Sequence, residues 1–190
     1  MNKRKTMMVG FGMIFLLILG TGLASAQENS TESDQNKTMV ILGCAIAISI
    51  TGISSAIGLA LAGSSAIAVT AEKPNLFGKI LVLQVLPMTQ SVYGLLTAIL
   101  LMMGAGLLGG GADTTVGSIA GVGSIWIGLT VGLTGISAIN QGMVASSSIS
   151  AVGRNPDVAA RGIIFTVMTE TIAIFGLLAG ILLMTGIGLL

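Results

Sequence analysis

One acid, Glu170, stands inside an otherwise uncharged apolar run of 29 residues, 162–190. A run of that length spans a bilayer as a helix, since about 20 apolar residues suffice. A carboxylate near the middle of a span costs about 2.5–3.5 kcal/mol on insertion scales, and such residues mark ion or proton pathways. The plainer alternative is an acid tolerated on a water-filled seam. Candidate partners are Gln141, Gln90, Thr89 and Tyr93. Gln141 lies 13 residues before Arg154, and Glu170 lies 13 residues after Asp157. Counted from one shared loop, both reach the same depth, roughly 20 Å along their helices at 1.5 Å per residue. Leu86, Thr89, Gln90 and Tyr93 follow the i, i+3, i+4, i+7 spacing of a single helical face. Pro87 cannot donate to the carbonyl of Leu83, which loosens the ladder there and frees backbone oxygen.

These groups supply one carboxylate, two amide oxygens, a hydroxyl and a carbonyl, with no nitrogen or sulfur ligand. All-oxygen sets suit hard cations. One formal negative charge suits a monovalent ion, so Na+ is the natural cargo. A proton needs the carboxyl alone. For each polar residue taken singly, the bland reading is an interhelical hydrogen bond worth about 0.6 kcal/mol.

The elements that must position these residues are membrane helices. The chain has 190 residues, 53% hydrophobic and 8% charged, with mean hydropathy +1.00. Soluble domains carry about 25% charged residues. There is no His and a single cysteine, Cys44. That excludes His-based catalysis, Cys/His zinc sites and an intrachain disulfide. Cys44 reads as a small packing residue. No phosphate-binding Gly-rich loop and no basic, aromatic-interleaved patch occurs, so neither nucleotide nor nucleic acid is expected as a partner.

Lys3, Arg4 and Lys5, an apolar stretch over 7–20 and Ala24-Ser25-Ala26 together predict a secretory signal peptide over 1–26. The alternative is a retained extra helix. Residues 27–38 read as a polar, solvated tail with glycosylation patterns at Asn29 and Asn36. Apolar segments follow at 39–70, 80–108, 116–152 and 162–190. The first and third exceed what a span needs and must tilt or project. Lys73, Lys79, Arg154 and Arg161 place the loops 71–79 and 153–161 in the cytoplasm, and both termini outside. The loop 109–115 is Gly-rich.

An internal duplication organises the four segments. Thr51-Gly52-Ile53-Ser54 recurs as Thr134-Gly135-Ile136-Ser137, Pro74 as Pro156, and Met88-Thr89-Gln90 is echoed by Met168-Thr169-Glu170. The expected fold is therefore an all-α membrane protein of two helical hairpins, 39–110 without an acid and 115–190 with Glu170. Residues 43–71 hold 17 Gly, Ala or Ser in 29, against 7 in 29 for 162–190. Small residues let membrane helices approach closely. Crowded first and third helices with bulkier second and fourth ones suit a ring, the small-residue helices lining its inner circle. An ordinary compact bundle is the alternative.

Over 39–190 the chain resembles the proteolipid, or K subunit, of V-type and archaeal A-type ATPases. The resemblance rests on Leu86-Pro87-Met88-Thr89-Gln90-Ser91-Val92-Tyr93-Gly94, on Asn140-Gln141-Gly142, and on Arg154-Asn155-Pro156 followed by Met168-Thr169-Glu170. It implies a homo-oligomeric rotor ring, non-catalytic by itself, that carries one ion per subunit past a stator subunit of the membrane. Central-stalk subunits would meet loops 71–79 and 153–161. In sodium-translocating members the ion is held by positions matching the Leu86 carbonyl, Thr89, Gln90, Gln141 and Glu170, with Tyr93 bonding the acid. A proton-coupled ring is the alternative within the family. A stand-alone two-repeat channel or transporter is the alternative outside it. Where the family has Gly beside the site this chain has Met88, so a larger side chain is expected to adjoin the site. No cofactor beyond the transported Na+ or H+ is implied.

Overall fold

The structure is a computed structural model, and it describes residues 32–109 and 114–190. The expected signal peptide lies outside the described residues, as does Asn29. Among the described residues, four helices are long and apolar enough to cross a membrane: α1 (Glu32–Glu72), α2 (Pro74–Gly104), α3 (Ser118–Arg154) and α4 (Pro156–Gly186). The protein is a multi-pass membrane protein, and no strand occurs among the described residues.

The helices run further than hydropathy alone indicates. From Glu32 onward, the polar run expected to be a solvated tail is the opening of α1. Asn36 is buried there, and its Nδ2 donates to Val116 O at 2.9 Å. The nitrogen a glycan would need is thus already engaged. The loops expected over 71–79 and 153–161 shrink to Lys73 and Asn155. Pro74 and Pro156 each open the next helix at a first-turn position, where a missing N–H costs nothing.

α1 packs along most of its length against α3, and small residues make this possible. A Cβ on Gly43 would strike the Ser124 carbonyl, and one on Gly128 the Gly43 carbonyl. Lower down, a Cβ on Gly58 would meet Ala138 O and one on Gly142 would meet Gly58 O. Backbone contact of this kind is how helices associate in lipid, where hydrophobicity drives nothing. α2 and α4 flank the pair. One apolar cluster joins Ala62, Leu76, Ile80 and Leu83 to Ala145, Ile149 and Val152 at the loop end. The other gathers Val40, Ala98, Leu101, Ile127 and Met184 at the opposite end.

The duplication is visible in three dimensions. α2 and α4 both close on a left-handed glycine, Gly106 (φ 68°) and Gly188 (φ 75°). In each the next residue donates back into the helix: Leu107 N to Met102 O and Leu189 N to Met184 O. Thr51 packs on Gly94 as Thr134 packs on Gly176. Pro74/Pro156 and Gly106/Gly188 both lie 82 positions apart, so the register is the same on either side of the site. Glu170 therefore corresponds to Met88, and Gln90 to Ile172. This corrects the correspondence suggested by the Met-Thr-Gln and Met-Thr-Glu echo.

A candidate ion site at the helix breaks

Three of these four helices are interrupted in their middle parts. α2 tightens to a 3-10 turn at Leu86–Met88. α3 breaks at Ile136, between Gly135 and Ser137. α4 breaks at Thr169 and Glu170, between Met168 and Thr171. The cause in α2 is Pro87. In α3 and α4 the backbone falls back on three-residue bonds, Ile136 N to Leu133 O and Glu170 N to Val167 O. Irregular backbone at membrane depth is tolerated where it is buried in protein or lines a cavity, and here it surrounds a polar cluster.

Every residue expected at the site comes to it. Tyr93 Oη donates to Glu170 Oε1 at 2.6 Å. Gln141 Nε2 lies 3.5 Å from Glu170 Oε2 and donates to Thr166 O at 3.2 Å. Gln90 Nε2 donates to Gln141 Oε1 at 2.7 Å. Thr89 Oγ1 contacts Gln90 Oε1 at 3.2 Å and the Leu86 carbonyl at 3.0 Å. Gln90 and Gln141 are fully buried and Glu170 nearly so. The equal depth deduced for Gln141 and Glu170 places them in contact.

Two features escaped the sequence reading. Thr166, one turn before Glu170 and fully buried, holds Gln141 in place through its carbonyl while its own hydroxyl donates to Gly162 O at 2.7 Å. A Thr at i−4 from an intramembrane acid was the available signal. Met88 was expected to adjoin the site. It ends the 3-10 turn next to Thr89 and is 49% exposed.

The electrostatics are simple. All eight Lys and Arg lie at 3, 4, 5, 37, 73, 79, 154 and 161, outside the interior of the spans. Among the described residues, Glu170 meets only neutral donors, Tyr93 Oη and Gln141 Nε2, and has no positive partner. Among the described residues no group of three His, Cys, Asp or Glu exists to hold a multivalent metal.

The family model for the C subunit of ATP synthase matches the chain twice, over residues 42–101 and 125–183. The A-type ATP synthase subunit K of Methanocaldococcus jannaschii is 45% identical over 130 residues, which is 68% of this chain and 56% of that protein. The chain thus spans little more than half of that relative's length. The V-type sodium ATPase subunit K of Enterococcus hirae is 38% identical over 152 residues, 78% of this chain and 93% of that protein. The V-type proton ATPase proteolipid subunit of Dictyostelium discoideum is 28% identical over 143 residues, 75% of this chain and 70% of that protein. Two matches, one per hairpin, and a relative covered almost end to end place the chain in the family of ATP synthase C subunits, as a member with two repeats.

Proposed function

We propose that the chain is a rotor-ring subunit of a rotary A/V-type ATPase and carries one Na+ per copy. It is non-catalytic, and hydrolysis or synthesis of ATP belongs to other subunits. The observation that carries the reading is the gathering of four other oxygen sources, the Leu86 carbonyl, Thr89, Gln90 and Gln141, in one cluster with a carboxylate that has no positive partner among the described residues. Na+ is held by the Leu86 carbonyl, Thr89 Oγ1, Gln90 Oε1, Gln141 Oε1 and Glu170, and Tyr93 keeps the acid aimed. The amide oxygens that now accept from neighbouring amides and hydroxyls turn onto the ion. The sodium-ATPase name of the Enterococcus hirae relative supports sodium over protons.

Neutralisation is the physical core of the mechanism. A bare carboxylate facing lipid carries the insertion cost given above, whereas an ion-filled site is neutral and can be turned through the bilayer. The ion enters and leaves where a stator subunit of the membrane meets the ring. Lys73, Lys79, Arg154 and Arg161 sit at one end of the molecule, which supports placing that end in the cytoplasm and both termini outside. The turns at Lys73 and Asn155 then face the central stalk.

Carbodiimide labelling of the purified protein, mapped by mass spectrometry, tests the site. Labelling at Glu170 that Na+ suppresses is expected. Labelling indifferent to Na+ would transfer the reading to protons and leave Gln90 and Gln141 structural. No labelling at Glu170 would remove the ion site altogether.

A further inference from the structure

The break in α4 releases a backbone carbonyl beside the candidate ion site. In an unbroken α-helix, Thr166 O would accept from the N–H four residues on, that of Glu170. Glu170 N donates to Val167 O instead, at 3.0 Å. Two side chains take its place on Thr166 O. Thr169 Oγ1 donates at 2.7 Å and Gln141 Nε2 at 3.2 Å. Thr166 is fully buried, so its carbonyl needs partners once the helix no longer supplies one.

α2 repeats the arrangement on the other side of the cluster. Leu86 O accepts from Thr89 Oγ1 at 3.0 Å, again from three residues on. In regular stretches, hydroxyls reach back four residues: Ser54 to Ile50 O, Thr97 to Tyr93 O, Ser124 to Ala120 O and Thr166 to Gly162 O. The shorter reach goes with the tightened turn. Each of the two carbonyls is thus held by a threonine of its own break.

We propose that Thr169 is a positioning residue of the ion site, acting through the Thr166 carbonyl on the amide of Gln141. This rests on the sodium reading of that site and adds a residue outside its ligand set. A carbonyl oxygen accepts and never donates, so it engages only the NH2 end of an amide. With Nε2 on Thr166 O, Gln141 Oε1 points the other way. It meets Gln90 Nε2 at 2.7 Å, inside the cluster where an ion needs an oxygen. Thr169 keeps the carbonyl in that role by standing in for the Glu170 N–H. Without the hydroxyl, Thr166 O is free to take that N–H back. The turn then relaxes towards a regular helix, and the anchor of Gln141 shifts together with the backbone of Glu170.

Thr169→Val keeps the branched shape and removes the hydroxyl, whereas Thr169→Ser keeps the hydroxyl. Thr171→Val is the control. Thr171 Oγ1 donates to Met168 O at 2.9 Å at the same break, but Gln141 reaches Thr166 O and not that carbonyl. The readout is the Na+ concentration that half-protects Glu170 from carbodiimide in the solubilised full-length protein. The thermal midpoint in choline chloride, without Na+, reports stability separately. Thr169→Val is expected to raise the half-protecting concentration about three- to tenfold, the worth of one hydrogen bond. Thr169→Ser and Thr171→Val are expected to stay near wild type. If Thr169→Val does not accumulate, Thr169→Ala removes the same donor with less bulk and carries the same expectation. An unchanged Na+ response overturns the inference, and a lowered midpoint beside it makes Thr169 structural only. An equal rise in Thr171→Val overturns it too, by assigning the effect to the break as a whole. So does a serine variant as impaired as the valine one. Wild-type protein that Na+ does not protect overturns the sodium reading itself, and this inference with it.

Discussion

Tyr93 Oη donates to Glu170 Oε1 across 2.6 Å and so ties α2 to the break in α4. Tyr93 lies in the first hairpin and Glu170 in the second, so the bond also fixes one hairpin against the other at the depth of the site. A hydrogen bond to a charged group contributes about 1.5–3 kcal/mol. Tyr93→Phe keeps the ring and removes that donor. The apparent affinity for Na+, read from protection of Glu170 against carbodiimide, is expected to fall roughly ten- to a hundredfold. Unchanged protection would mean that the phenol orders the hairpins only.

Glu170→Gln retains the shape of the side chain and removes its charge. Carbodiimide labelling disappears, and with it any effect of Na+ on the protein. The apolar clusters at the two ends of the bundle contain none of the site residues, so copies are expected to assemble as before. Native mass spectrometry alongside labelling checks both halves of the prediction. Loss of assembly would show that the acid is structural as well.

Gln141 joins the site at three points: it accepts from Gln90 and donates to Thr166 O and towards Glu170. Gln141→Leu removes one oxygen ligand and leaves Gln90 Nε2 buried without an acceptor, a loss of about 1–3 kcal/mol. Labelling of Glu170 is expected to persist while its suppression by Na+ is lost. Suppression that survives in this variant would exclude Gln141 from the ion's ligands.

The pattern of these residues was legible because membrane helices are regular. Spacing placed Leu86, Thr89, Gln90 and Tyr93 on one face, and counting from a shared loop placed Gln141 level with Glu170. What sequence did not reveal was the correspondence between hairpins. Two residues along a helix is a rotation of about 200°, so aligning Glu170 with Gln90 instead of Met88 changes which face the acid occupies. The tripeptide echo favoured Gln90. The glycine caps at Gly106 and Gly188 settle the register, and they sit too far from the site to be weighed against a local match. The breaks at Ile136 and Thr169–Glu170 carry no Pro, so hydropathy gave no sign of them. The helical start at Glu32 was hidden because its polar residues, Asn36 above all, are satisfied by the second hairpin.

Binding of Na+ to the folded protein alone stabilises it by RT ln(1 + [Na+]/Kd), about 2.7 kcal/mol at a hundred times Kd. The thermal midpoint of the solubilised protein is therefore expected to rise with NaCl and not with choline chloride at equal ionic strength. The comparison salt matters because surface charges at Lys73, Lys79, Arg154 and Arg161 respond to screening by any electrolyte. Glu170→Gln removes the sodium-specific part of the rise. A rise of equal size in choline chloride would reduce the effect to screening and count against bound Na+.

Gly58 and Gly142 bring α1 and α3 into backbone contact just beside Gln141. A Cβ at Gly58 meets Ala138 O and the Pro87 ring as well, so α1, α2 and α3 all converge there. Nothing flexible lies in the way: the atoms met are backbone or the stiff ring of Pro87. Gly58→Val must push α3 outward, and α3 takes Gln141 with it. Overpacking of this kind costs about 1–3 kcal/mol. Sodium protection of Glu170 is expected to fail in this variant although every ligand is still present. Gly52→Val places the same side chain six residues earlier, where no atom lies within 4 Å in the single chain. It is expected to spare the ion site, so sodium protection of Glu170 in the labelling assay will tell the two variants apart.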